Sequence, residues 1–203
     1  MKWKIISLLL AMLVFTSSAR LATPDTFTRD DLIIPPSPER FTICYNGSCD
    51  EIAEVHLSKK QWQSIESIFR INNNAEQERE NIRRAIAQME TIVGKKTGTH
   101  VDKAGVFDHL GEHGQLDCID ESTNTSFYLT MMINDGLIRW HSVEDRETRG
   151  YFLFGWPHTT AVIRETASQQ QYAVDAWFLD NGEPPYILPL EKWDNGWKPE
   201  NFQ

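Results

Sequence analysis

The sequence predicts an α+β fold, because helical patterns fill its first half and strand-like patterns fill its second half. Apolar residues recur at helical spacing as far as Asp135-Gly136, and segments of alternating apolar and polar residues follow. The 203 residues suffice for one domain of ordinary size that buries its own core. No internal repeat indicates another organisation.

The first residues have the pattern of an export signal. Lys2 and Lys4 precede an apolar run over residues 5–15, and Ser17-Ser18-Ala19 offers small residues for cleavage. The apolar run is shorter than a membrane-spanning helix requires. We therefore predict a signal peptide over residues 1–19, a periplasmic or secreted mature chain, and no membrane attachment after cleavage.

A proline-rich stretch separates this signal from the body of the chain. Residues 20–40 are rich in proline, threonine and charge and include Pro35-Pro36-Ser37-Pro38, which is typical of an extended segment. We predict an N-terminal arm over 20–40 and a single domain over 41–203. The domain opens with a predicted hairpin of two short strands, 41–44 and 52–57.

The chain has three cysteines, and export makes their pairing informative. Cys44 and Cys49 flank an Asn46-Gly47 turn pair that can bring them together, so we predict a disulfide between them. Cys118 is then left over, and an unpaired cysteine in an exported protein is buried, reactive or bonded to another chain. A disulfide between Cys118 and one of the other two is the alternative.

Three helices are predicted before the strands of the second half. The first begins with capping-box spacing at 58–61, and the second covers 75–93 with Gly94 as its stop signal. The third begins near Asp117 and ends at Asp135-Gly136. The charged side chains of the second helix are expected to form a solvated face: Glu76, Glu78, Arg79, Glu80, Arg83 and Arg84.

The second half is predicted to form an antiparallel sheet on which the third helix packs. The aromatic tail from Tyr186 onward is expected to pack back on the body through Trp193 and Trp197. The predicted strands cover 137–143, 151–156, 158–165 and 171–178, and turns at 180–185 close the sheet.

Cys118 lies at the predicted start of the third helix, where a thiolate is stabilised. Neighbouring carboxylates such as Asp117 oppose that ionisation, so an imidazolium is needed to hold the negative charge. His158 begins a predicted strand that pairs with the strand containing Asp175. With a turn centred on Thr166-Ala167, His158 lies directly opposite Asp175 on the same sheet face. The sequence therefore predicts one site with a thiol, an imidazole and a carboxylate.

The residues of this site resemble a known family. Asp117-Cys118-Ile119-Asp120 at a helix start, then His158, then Val174-Asp175-Ala176-Trp177, is similar to the transglutaminase-like cysteine peptidase superfamily and its bacterial branch. The likeness covers roughly residues 80–180. It implies a papain/transglutaminase-like fold with the cysteine on a helix and the other two residues on adjacent strands. It also implies that the cysteine is the nucleophile, the histidine the base and the aspartate the residue that orients the base.

The sequence departs from the family pattern at two places. The glycine often found just before the cysteine is displaced to Gly114, and Thr159-Thr160 follow the histidine in place of a small or aromatic pair. These departures bear on activity more than on fold. Gln115 is the predicted side-chain donor to an oxyanion, together with the Cys118 amide.

We expect an exported thiol-dependent amide hydrolase or acyltransferase in which Cys118, His158 and Asp175 form a triad that acts through a thioacyl intermediate. Its substrate would be a protein or peptide, and no cofactor is required. Protease, deamidase and transglutaminase share the first half-reaction, so all three remain alternatives. The net charge of -9 and the pI of about 5.1 argue against binding to nucleic acid or to an anionic membrane. Oligomeric state is left open.

Two other interpretations use the same residues. The first is an exported binding protein without catalytic activity, in which a transglutaminase-like site has degenerated. The second is a metal site, because His109 and His113 are four residues apart, with Glu112 between them and Cys118 nearby. Flanking glycines make a helix there unfavourable, so the two histidines need not share a face, and we predict no metal.

Overall fold

The computed structural model describes residues 29–106, 112–150, 157–200 and 202. Within these residues it contains four α-helices and two antiparallel sheets, which confirms the α+β class. The predicted signal peptide over 1–19 and the predicted strand over 151–156 lie outside the described residues. None of the described helices has the length and apolar character needed to cross a membrane.

The first sheet is the predicted hairpin, with β1 over Phe41–Tyr45 and β2 over Glu51–Val55. The predicted disulfide between Cys44 and Cys49 closes its turn, and Cys118 is a free thiol. The alternative pairings through Cys118 are therefore wrong.

The described part of the predicted arm, residues 29–40, is packed against the body of the protein. Leu32 is buried beside the disulfide, and Pro36 and Pro38 are also buried. The Leu57 amide donates a 2.8 Å hydrogen bond to the Pro38 carbonyl. This part of the arm therefore contributes to the core, although it forms no helix or long strand.

Two helices follow the hairpin, α1 over Lys59–Glu66 and α2 over Ala75–Thr97. The predicted capping box begins α1. α2 continues past Gly94 and ends at Gly98, whose φ of +90° is favourable only for glycine. A Cβ at Gly94 would lie 2.9 Å from the His100 backbone nitrogen. Gly94 therefore allows close packing and is not the helix stop that we predicted.

The third helix, α3, covers Cys118–Asn134 and packs across the second sheet, while its other faces contact β1 and α2. Most of its side chains are buried, so it is the central helix of the molecule. The sheet is antiparallel in the order β3-β4-β5-β6, and a short helix, α4, follows its last strand. These elements cover His141–Arg149 for β3, His158–Glu165 for β4, Gln171–Asp175 for β5, Tyr186–Pro189 for β6 and Leu190–Asp194 for α4.

Three predicted strand boundaries in the second half are wrong, and one of them is the end of β3, which continues to Arg149 and does not end at Val143. β3 begins at His141 and not at Leu137, because the Leu137 amide closes the end of α3 by donating to the Met132 carbonyl. β5 ends at Asp175 and not at Phe178, because the chain turns after Asp175. The bounds of β4 agree with the prediction.

The predicted solvated face of α2 is wrong for Glu78, which is fully buried. Its carboxylate accepts hydrogen bonds from the backbone amides of Arg139 and Trp140 and from Nδ1 of His141. Burial raises the pKa of Glu78, but the hydrogen bonds outweigh burial and hold this pKa below its ordinary value. Glu78 therefore attaches α2 to the start of β3.

Candidate active site

The third helix begins where it was predicted, with Cys118 at its first helical position. Asp117 caps the helix, since its Oδ1 accepts hydrogen bonds from the amides of Ile119 and Asp120 at 2.9 Å each. Asp120 completes a capping box by accepting a hydrogen bond from the Asp117 amide. Cys118 is therefore fixed at the positive end of the helix dipole.

Backbone amides of the loop closed by the disulfide bind the carboxylates at this helix start. Gly47 and Cys49 each donate a 2.7 Å hydrogen bond to Asp120. The Ser48 amide donates a 2.7 Å hydrogen bond to Asp117. These three loop residues have positive φ, a conformation that can direct successive N–H groups toward an anion. The disulfide loop thus holds the start of α3, a role that the sequence did not indicate.

Asn124 attaches α3 to the same hairpin at a second point. Its side-chain oxygen accepts from the Cys44 amide at 2.7 Å, and its side-chain nitrogen donates to the Cys44 carbonyl at 2.8 Å. Both residues are buried, where unsatisfied backbone groups are costly. The two attachments fix the first two turns of the helix that carries Cys118.

His158 Nε2 lies 2.7 Å from Asp175 Oδ2, and both side chains are buried. The predicted proximity is therefore present, although the predicted register is wrong. β4 pairs with β5 so that Ala161 lies opposite Val174, a shift of two residues, because the turn after Glu165 is longer than predicted. A shift of two residues leaves both side chains on the same face, where diagonal neighbours still reach each other.

Trp193 of α4 binds the same aspartate. Its indole Nε1–H donates a 2.6 Å hydrogen bond to Asp175 Oδ2, and its ring is fully buried. Arg149 supports Trp193 from β3, since the guanidinium carbon lies 4.3 Å from the centre of the ring and Nη1 donates to the Trp193 carbonyl. The sequence predicted that Trp193 packs on the body, but nothing in its pattern indicated this hydrogen bond.

Aromatic side chains enclose the imidazole of His158. The ring centres of Trp177, Phe178 and Trp193 lie 4.7, 5.1 and 5.4 Å from that of His158. Its Nδ1 is buried and has no hydrogen-bond partner among the described residues. Because the Nε2–H of His158 donates its hydrogen bond to Asp175, the neutral ring keeps an unshared electron pair at Nδ1. His158 can therefore accept a proton at Nδ1.

The Cys118 sulfur lies beside β4. The backbone of Thr159 is close enough to lower the pKa of the Cys118 thiol, and Thr159 is the neighbour of His158 in the strand. Cys118 is 8% exposed and belongs to one apolar cluster with Trp177 and Phe178. The sulfur and the imidazole therefore lie in the same enclosed region, without a hydrogen bond between the sulfur and Nδ1.

The pKa of the Cys118 thiol is raised to about 11, mainly by burial and also by the charges of Asp117 and Asp175, while the backbone of Thr159 acts to lower it. The thiol is accordingly protonated at neutral pH in this arrangement. The helix start alone does not produce a thiolate. Ionisation of Cys118 requires a partner that takes its proton and retains the positive charge nearby.

Arg146 is a second basic group near this helix start. It lies where the pairing of β3 with β4 shifts register, between Glu144 and Glu147. Its Nη1 donates to Thr123 Oγ1 at 2.8 Å and to the Ile119 carbonyl at 3.3 Å. Burial lowers the pKa of Arg146 to about 10, whereas the charge of a Cys118 thiolate would raise it. No local sequence pattern marks such a bulge.

The Gln115 side chain is hydrogen-bonded at both ends to another segment. Its Nε2 donates to the Val101 carbonyl at 3.1 Å, and its Oε1 accepts from the Lys103 amide at 3.2 Å. Gln115 thus attaches the segment before α3 to residues 101–103. The bond to Val101 uses one of the two N–H groups of Nε2, so donation to an oxyanion, which stays a prediction, would use the other.

The alternative metal ligands are not assembled in the described residues. The His113 ring packs edge-on against Tyr45 at 5.7 Å, and His109 lies outside the described ranges. One group of three potential ligands occurs in the described part of the chain: Cys44, Cys49 and Asp120. The two sulfurs of that group are joined in the disulfide and are not thiolate ligands.

Comparisons with protein families, with curated proteins and with solved structures find no match to this chain.

Proposed function

We propose that the protein is an exported thiol-dependent amide hydrolase or acyltransferase with Cys118 as its nucleophile. The observation that carries this proposal is the buried His158–Asp175 pair, which leaves Nδ1 of His158 unpartnered. Cys118 and His158 both lie against Trp177 and Phe178. A nucleophile, a base and a group that orients the base are thus grouped in one enclosed region.

The proposed reaction transfers the thiol proton to Nδ1 of His158 as the Cys118 sulfur attacks the carbonyl carbon of a peptide or side-chain amide. The carbon–nitrogen bond then breaks, and His158 returns the proton to the departing amine. Water or a second amine next gives a proton to His158 and attacks the thioester. The carbon–sulfur bond breaks, and the proton returns to the sulfur. Asp175 holds the ring and stabilises its positive charge.

The Cys118 amide is the proposed oxyanion donor. It lies at the first helical position, where backbone N–H groups have no partner inside the helix. A negative oxygen at this position would also face the positive end of the helix dipole.

The arrangement supports a papain/transglutaminase-like packing as the finer description of the fold. The cysteine begins a helix that packs on the sheet, and the histidine and aspartate lie on two neighbouring antiparallel strands. The Cys44–Cys49 disulfide supports an oxidising location, periplasmic or secreted, which agrees with the predicted signal peptide.

A second candidate function is an exported binding protein without catalysis. Two observations favour it: burial raises the thiol pKa of Cys118, and the sulfur makes no hydrogen bond with Nδ1 of His158. If this candidate is correct, Cys118 should react as an ordinary buried thiol.

The two candidates are separated by the acylation of Cys118 with p-nitrophenyl acetate, which needs no knowledge of the natural substrate. An enzyme should release p-nitrophenol in a burst and carry one acetyl group on Cys118, detected by peptide mass spectrometry. The burst should be lost in Cys118→Ser and retained in a control that removes an exposed histidine, His56→Ala. A binding protein should give no burst in any variant.

A further inference from the structure

A segment near the end of the described chain lies over the region that contains Cys118. We name residues 195–200 and 202 the covering segment. Its Trp197 and Phe202 pack against the apolar cluster formed by Cys118, Trp177 and Phe178. Since Cys118 is 8% exposed, a substrate carbonyl has little access to the sulfur while this cluster stays closed.

Phe202 occupies a pocket with aromatic walls. Its ring centre lies 4.8 Å from that of Phe178 and 5.5 Å from that of Trp177. Gly105 forms another wall and donates a 2.8 Å backbone hydrogen bond to the Trp177 carbonyl. A Cβ at Gly105 would collide with the Phe202 ring, so the absence of a side chain there makes room for it. The pocket therefore fits a flat apolar ring beside the cluster of Cys118.

Among the described residues, the covering segment is attached by polar contacts near its start, where the amides of Asn195 and Gly196 donate to the Glu191 and Trp193 carbonyls. Arg149 Nη2 donates a 2.8 Å hydrogen bond to the Trp197 carbonyl. The Phe202 amide bonds to Pro199 within the segment itself. Gly196, which precedes Trp197, has a φ of +85° and open space around it. Within the described residues, the outer part of the covering segment, with Phe202, is therefore held mainly by ring contacts, which a competing ring can replace.

We propose that the pocket now filled by Phe202 is a substrate subsite for an aromatic side chain, and that the covering segment occupies it in competition with substrate. This proposal rests on the proposed function and names its substrate class, a peptide with an aromatic residue next to the amide that Cys118 attacks. The residues that form the pocket, Gly105, Trp177 and Phe178, present apolar surface to the ring. The segment keeps the site closed until a substrate ring displaces Phe202.

Two chloromethyl ketones test the proposal on the full chain. In each reaction the Cys118 sulfur displaces chloride and forms a carbon–sulfur bond. N-acetylphenylalanine chloromethyl ketone carries the ring, and the N-acetylalanine reagent lacks it. The variants are Phe202→Ala, Phe202→Leu and the control Trp140→Ala. The control removes an aromatic residue elsewhere that is 40% exposed. Melting temperatures confirm that each variant is folded.

The Phe202→Ala variant should react about tenfold faster with the aromatic reagent than the unmodified chain does, because a vacated apolar pocket gains a ring. It should also prefer the aromatic reagent over the alanine reagent by a similar factor. The rate of Phe202→Leu with the aromatic reagent should lie between those of Phe202→Ala and the unmodified chain. The rate of Trp140→Ala should equal that of the unmodified chain.

Equal rates with the two reagents in Phe202→Ala, or rates unchanged from the unmodified chain, would overturn the subsite. Iodoacetamide distinguishes this failure from failure of the proposed function. If iodoacetamide reacts more slowly with Cys118 in His158→Ala than in the unmodified chain, while the two ketones react with Phe202→Ala at equal rates, the function stands and the subsite is wrong. If its reaction is independent of His158, the proposed function is wrong, and with it a subsite that serves this function.

Discussion

Asp175 receives two hydrogen bonds on one carboxylate oxygen, from His158 and from Trp193. The sequence indicated that His158 and Asp175 lie close together, because two alternating strands joined by a short turn bring a limited set of residues together. The sequence did not indicate the hydrogen bond from Trp193, because this bond depends on how a five-residue helix docks on the sheet. Local patterns carry no information about such docking.

Replacing Trp193 by phenylalanine should remove the donor to Asp175 and retain the ring. The free energy of unfolding should fall by about 1 kcal/mol, since one buried hydrogen bond is lost. The reaction of Cys118 with iodoacetamide should also shift to higher pH, because His158 is held less well. Urea denaturation and labelling rates measure both effects.

The matched control for this change is Trp140→Phe, because Trp140 is 40% exposed and its indole N–H makes only a long hydrogen bond, 3.5 Å, to the Asn72 carbonyl. Its unfolding free energy should change by less than about 0.5 kcal/mol. An unchanged labelling profile in Trp193→Phe would mean that Trp193 has a packing role only.

At the level of elements, the boundaries that the sequence predicted well have strong local signals. β4 alternates and is rich in β-branched residues, and α3 begins with the capping box of Asp117 and Asp120. β6 and α4 have four and five residues, too few for a period to be recognised. Glu78 was misassigned because its partners are backbone amides about sixty residues away in sequence.

The attachment of the disulfide loop to α3 depends on the fold of that loop. Breaking the Cys44–Cys49 disulfide by replacing both cysteines with serine should lower the free energy of unfolding by about 2 kcal/mol, the loop-closure value for so short a loop. It should also loosen the amides that bind Asp117 and Asp120. Urea denaturation measures the first effect, and hydrogen exchange at the start of α3 measures the second.

Exchange at the start of α3 should increase in this double variant, while exchange in β4 and β5 stays unchanged because they belong to the other sheet. Equal protection of α3 from hydrogen exchange in the double variant and in the unmodified chain would show that the loop holds its shape without the disulfide.

Across the whole molecule, buried carboxyl groups determine how stability depends on pH. Burial raises the pKa of Glu90 to about 8 and that of Asp102 to about 7, and it raises the pKa of Glu121 well above its ordinary value. The Glu90 Oε1 atom is buried without a hydrogen-bond partner among the described residues. Protonation of these carboxyl groups therefore stabilises the folded protein.

Each of these groups binds more protons in the folded protein than in the unfolded chain between its ordinary and its raised pKa. That range is from 4.5 to about 8 for Glu90 and from 3.8 to about 7 for Asp102. Stability from protonation is fully present below the unfolded pKa and is lost as pH rises through the folded pKa. The melting temperature should therefore fall between about pH 5 and pH 8.5.

Glu90→Gln should reduce this fall, because its side chain stays neutral and keeps an oxygen to accept the hydrogen bond from the Gly182 amide. Glu76→Gln, an exposed residue on the same helix, should leave the fall unchanged. Melting curves from pH 5 to pH 8.5 measure the difference. A melting temperature that rises across this range would contradict the assignment of raised pKa values.

Cys118, His158 and Asp175 are proposed to act as one chemical unit, and the pH profile of Cys118 alkylation shows whether the thiol depends on His158. Rates with iodoacetamide should be measured from pH 5 to pH 11 for the unmodified chain, His158→Ala and the exposed-residue control His56→Ala. If the thiol transfers its proton to His158, the unmodified chain and the control should react well below the pH at which His158→Ala reacts. At pH 7, His158→Ala should be slower by at least about tenfold. Identical profiles in all three proteins, each with a thiol pKa near 11, would contradict the claim.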